Sequence, residues 1–182
     1  MSYRYGVIAI AVSAAIAFSA NYASGQEYSA RLNGFDELGG LSDQTGMNSG
    51  AILTKGKGEF KLHLDKSNST ATYELTYSDL TSTASMAHIH FGKVHVPGSI
   101  MIWLCQTTIE PGPAGTPTCP EPGGTVTGTI TASSVQAIPT QNVTAGDFDA
   151  LVAALKGHAL VSASHIARYA HPAANTMPSD RM

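Results

Sequence analysis

The chain has 182 residues, a formal net charge of −3 and only 13% charged residues. That length sets one domain around a single sizeable core. The weak charge leaves no electrostatic basis for binding nucleic acid or an acidic membrane surface.

Residues 1–25 read as a secretory signal. One arginine, Arg4, precedes an apolar run over residues 7–20, and Phe18-Ser19-Ala20 offers a small-x-small cleavage pattern. Ala23-Ser24-Gly25 before Gln26 is a second option. The run is short for a bilayer span, so the expectation is a cleaved signal, a secreted or periplasmic protein, and no integral membrane segment afterwards. The region has no cysteine to carry a lipid.

Residues 28–32 alternate and predict a first strand. Residues 34–50 form a loop rich in Gly, Ser and Asp, and residues 50–53 a short apolar stretch compatible with a strand. Residues 58–64 read Gly-Glu-Phe-Lys-Leu-His-Leu. Phe60, Leu62 and Leu64 face one way and Glu59, Lys61 and His63 the other, the pattern of a half-buried antiparallel strand. Residues 65–69 form a turn by composition. Residues 71–77 return as its hairpin partner, with Tyr73, Leu75 and Tyr77 on one face as core or edge aromatics.

Residues 86–91 contain Ala87-His88-Ile89-His90-Phe91. Side chains alternate along a strand, so His88 and His90 share a face. Residues 99–105 are almost wholly apolar and predict a central strand. The only two cysteines, Cys105 and Cys119, bracket a Pro/Gly/Thr-rich stretch that excludes a helix. In an exported protein that arrangement predicts a Cys105–Cys119 disulfide, against two free thiols otherwise.

Residues 124–131 are Thr/Val-rich and strand-like. Phe148, Leu151, Val152 and Leu155 then recur at helical spacing. Thr144 or Asp147 can cap that helix, and Gly157 stands where it stops. A final strand is expected after Gly157, but alternation fades after Leu160 and Val161. The pattern is all-β: an antiparallel, Greek-key-like β-sandwich or barrel with one short helix near the C-terminus.

An ordered set of motifs carries a resemblance. It comprises residues 30–37 (Ala-Arg-Leu-Asn-Gly-Phe-Asp-Glu), Ala87-His88-Ile89-His90 with Phe91-Gly92, and the apolar run ending at Cys105. Pro113-Ala114-Gly115-Thr116 and Cys119-Pro120 follow, then Gly128-Thr129-Ile130-Thr131-Ala132 and Gly146-Asp147-Phe148 with Leu151. The chain resembles secreted bacterial proteins built on the CHRD domain, first recognised in chordin. The resemblance implies a β-sandwich or β-barrel module outside the cytoplasm, and it implies no established reaction. In chordin such domains belong to an extracellular antagonist of bone morphogenetic proteins.

The likeness covers the chain to about Lys156. The family's closing histidine-bearing strand and its Pro-x-Gly-Glu-Ile-Arg-Gly ending do not follow. The expected organisation is therefore a signal over 1–25, a CHRD-like domain over 26–160 and a divergent, poorly ordered tail over 161–182. A reading-frame shift near codon 160 would produce such an ending.

His88 and His90 support two readings. In one they belong to a copper or zinc site, with His95 as the third candidate ligand, because neutral imidazoles on one strand face can reach one ion. In the other they form a structural polar cluster with a carboxylate such as Glu37 and help fix strand register. The structural cluster is preferred because a His-x-His pair alone is unspecific. Nucleophile elbow, ordered Ser-His-Asp set, phosphate loop and paired-carboxylate motif are all absent from the sequence. The expected role is a non-enzymatic binding or structural module without a required cofactor, acting with an unidentified extracellular or periplasmic protein partner. Metal binding at His88 and His90 is the alternative.

Overall fold

The computed structural model describes residues 25–34, 41–42, 48–49, 53–93, 98–157 and 160–161. Four strands form the first sheet: β1 (Gln26–Asn33), β4 (Lys57–Leu64), β5 (Ala71–Ser78) and β8 (Gly124–Ile130), antiparallel in the order β1-β4-β5-β8. A second sheet has the order β7-β6-β9, with β6 at Ala87–Phe91, β7 at Ser99–Cys105 and β9 at Leu160–Val161. The glycine-rich stretch read as a plain loop carries a two-residue ladder, β2 (Leu41–Ser42) against β3 (Asn48–Ser49). After the β6–β7 hairpin the chain returns to pair β8 with β5, a Greek-key-like path.

Alternation builds the first sheet. Its inner face runs in cross-strand rows: Ala30, Phe60, Leu75 and Val126 in one, and Tyr28, Leu62, Tyr73 and Gly128 in the next. The outer face carries Glu27, Lys61, His63 and Glu74, with Lys61 within 3.4 Å of Glu59 and 3.9 Å of Glu74, and His63 paired to Glu27. Asp65 holds the β4–β5 turn by accepting from the amides of Ser69 (2.9 Å) and Thr70 (3.2 Å), while Asn68 takes the left-handed conformation that asparagine tolerates (φ 53°).

The helix α1 spans Phe148–Lys156 and ends at Gly157. Of its two candidate caps, Asp147 is the one used: its carboxylate accepts from the Ala150 amide at 2.9 Å. Phe148, Leu151, Val152 and Leu155 join both sheets in one buried core, together with Val135, Ile138 and Val143 from the preceding loop.

One expectation is corrected. The apolar strand β7 is not central; among the described residues it lies at the edge of its sheet. Its apolar run reflects cover from other directions. Met101, Ile102, Leu104 and Cys105 are all buried, and Gln136 donates its amide to Met101 O at 2.9 Å along that edge. The strand expected after Gly157 is present as β9, pairing Leu160 with Phe91 and Val161 with His90. All but the last residue of the expected signal (1–25) and all but the first residue of the expected tail (161–182) lie outside the described residues. Among the described residues no helix is long and apolar enough to cross a membrane.

Candidate functional site

The β6–β7 hairpin is not a regular ladder. Ala87 faces Cys105 but His88 faces Trp103, and Ile89 faces Ile102 but His90 faces Ile100. Leu104 and Met101 are therefore the extra residues of two irregularities, which bend and twist a strand locally. Both of their carbonyls are claimed from outside the hairpin. Tyr73 OH donates to Leu104 O at 2.6 Å, and Gln136 N to Met101 O. The first of these bonds joins the two sheets.

Ala87 and Ile89 point into the core, which sends His88 and His90 to the other face. The two rings meet edge to face, centroids 4.6 Å apart, and His88 meets the Trp103 indole in the same manner at 5.7 Å. His88 is completely buried, while His90 is half-buried. His90 Nδ1 lies 2.7 Å from Gly98 O. A carbonyl only accepts, so Nδ1 donates, and a ring in its neutral form then has its lone pair on Nε2. Metal-binding histidines commonly show that orientation, and so do histidines in structural networks.

The other residues named from the sequence are not brought to this point. His95 and Glu37 lie outside the described residues, so neither the three-histidine set nor the carboxylate cluster can be placed. Among the described residues no three His, Cys, Asp or Glu side chains converge as a metal site would require.

The predicted disulfide is formed. Cys105 and Cys119 are bonded, with Cα atoms 5.0 Å apart and 14 positions of separation. Gln106, invisible as a key residue in the sequence, organises the loop they close. Its side chain donates to Thr116 O and accepts from the Gly112 amide, both at 2.7 Å. Its backbone pairs with Pro117 O at 2.8 Å and the Cys119 amide at 2.9 Å. The loop is thereby held against Trp103. A Cβ on Gly112 would come within 2.7 Å of the indole, so only glycine allows this approach. Disulfide, loop, Trp103 and His88 form one packed sequence of contacts.

Beside this loop is a cavity of about 270 Å³ between residues 113–117 on one wall and residues 128–131 with Ser133, Ser134 and Gln136 on the other. Trp103 and Tyr73 also line it. Gly128 opens its rim, because the Tyr73 ring crosses that glycine on the way to Leu104; a Cβ there would sit 2.6 Å from the ring.

The sequence that forms these strands, the histidine pair and the bonded cysteines matches one known protein family. The model of the CHRD domain matches residues 28–165. This is a CHRD-domain protein. The CHRD match takes in most of the described fold and extends past α1. No curated protein and no solved structure matches the chain. The family supports a non-enzymatic β-sandwich module.

Proposed function

We propose that this CHRD domain acts outside the cytoplasm as a non-enzymatic binding or structural module, with His88 and His90 serving as part of its architecture. The observation that carries the reading is the Cys105–Cys119 bond, which ties the loop over Trp103 and so over His88. A disulfide at such a position persists in an oxidising compartment and is rare in a reducing one. The apolar run at residues 7–20 supports the same location. Complete burial of His88 against two rings favours a packing role over chemistry at the surface.

Two measurements test this. The full chain is expressed in a host with an export pathway, and the product is analysed by intact mass and thiol alkylation. The expected product has lost roughly the first 20–25 residues and has no alkylatable thiol. A retained Met1 with two reactive cysteines would overturn export. The mature domain is then dialysed against Zn(II) and Cu(II), alongside the H88A/H90A variant. The expected result is a lower melting temperature for the variant and no stoichiometric metal on either protein. One metal per chain, lost in the variant, would replace the structural role with a metal site.

A further inference from the structure

We infer that the cavity beside the disulfide loop is a binding site for a neutral polyhydroxylated ligand, of the chemical class of a hexopyranose ring. The inference rests on the binding-module reading above and names what one site of that module takes.

The lining chemistry selects the class. No charged side chain lines the cavity. An ionic ligand would give up its hydration there without a counter-charge, at a cost that hydrogen bonds to hydroxyls do not recover. The walls instead offer Thr116, Ser133 and Gln136 as polar groups beside the Trp103 and Tyr73 rings. Part of this polar set is already committed: Ser133 Oγ bonds to Thr131 Oγ1 at 2.9 Å, and Gln136 Nε2 donates to Ser134 O at 3.1 Å. The Gln136 amide oxygen and the Thr116 hydroxyl have no protein partner among the described residues. Two uncommitted polar oxygens and an aromatic wall suit a molecule with hydroxyls on its rim and C–H groups on its flat side.

Size and rigidity agree with that class. A cavity of about 270 Å³ is small for a drug-sized molecule and sufficient for one sugar ring. Its two walls are held by different means. The disulfide and the Gln106 bonds fix residues 113–117, while a capping box at Thr131 and Ser134 fixes the turn opposite. Walls held before the ligand arrives reduce the ordering cost of binding. The site also includes backbone at Gly115, whose positive φ of 88° keeps the rim free of a side chain.

The test uses a built-in reporter, because Trp103 is the only tryptophan in the chain. The mature, disulfide-bonded protein is titrated with glucose, with cellohexaose and with glucuronic acid, following tryptophan fluorescence. Saturable change is expected with the neutral sugars at concentrations up to about 10 mM, the weak end of specific binding. Similar affinity for both neutral sugars assigns the site to a free or terminal ring, and tighter binding of cellohexaose assigns it to a glycan chain. T116V and T116E should each weaken binding roughly tenfold or more with an unchanged melting temperature, since this position is outside the core. Absence of saturation with either neutral sugar would overturn the inference, as would equal binding of glucuronic acid or indifference to both variants. Export and disulfide formation are read separately from mass and thiols, so failure here leaves the module reading standing.

Discussion

Tyr73 shows how much one side chain does in this fold. It leaves β5 on the core face, crosses Gly128 and donates to Leu104 O in the other sheet. Burial pushes its phenol up to about 12, and burial together with nearby Glu121 does the same to Tyr77, whose hydroxyl donates to Pro120 O at 2.6 Å. Y73F removes the donor and leaves a buried carbonyl unsatisfied, an expected loss of about 1–3 kcal/mol in urea denaturation. The same residues set an alkaline limit. An unfolded tyrosine ionises near pH 10 and the folded ones near 12, so their contribution is full below pH 10 and is lost as pH rises through 12. The wild type should lose stability across that window, and Y73F/Y77F should flatten the loss. An equally steep decline in the double variant would show that other groups are responsible. At the acid end the sign reverses. Ser67, with the Ser69 and Thr70 amides, holds Asp65 down at about 2 against an ordinary 3.8. Its contribution is present above pH 3.8 and is lost as pH falls through 2, and D65N should remove that dependence in acid denaturation curves.

At the scale of elements, the disulfide loop is the clearest unit. Closing a loop of about 15 residues is worth around 3 kcal/mol in the chain-entropy model. C105S/C119S is therefore expected to lower unfolding free energy by about that amount in denaturant titration. Trp103 emission should shift as well, because the same loop packs on its ring. A variant that is destabilised with unchanged emission would show that the loop keeps its place through the Gln106 bonds alone. The element boundaries were largely legible in advance. Period-two alternation marks β4 and β5, and helical spacing with a capping aspartate and a terminal glycine marks α1. The edge position of β7 was not legible. An apolar run looks the same whether neighbouring strands or a loop and helix cover it, and the two irregularities beside His88 and His90 depend on partners distant in sequence. The pairing of the histidines was legible because it depends only on alternation; the Trp103 contact was not, because it depends on cross-strand register. The cavity has no local signature, being made of residues from four separate stretches.

For the molecule as a whole, the decisive relation is between the helix and the two sheets. Leu62 lies in the middle of the first sheet and Leu151 in α1, far apart in sequence, yet both are fully buried in the same apolar cluster. If that cluster is one cooperative core, truncating either side must weaken the same transition. L62A and L151A should each cost about 2–5 kcal/mol, the range for removing a buried leucine side chain without full collapse of the cavity. Each variant should still unfold in one step, with far-ultraviolet circular dichroism and Trp103 fluorescence giving coincident curves. The L151A outcome is the more informative. Trp103 is in β7 and α1 contains no tryptophan, so a helix that melts on its own would change the circular dichroism before the fluorescence. Separate curves would make α1 a late addition to a sandwich already stable without it. Coincident curves would make the helix a structural wall of the core, with the β6–β7 hairpin and its histidines held in place from both sides.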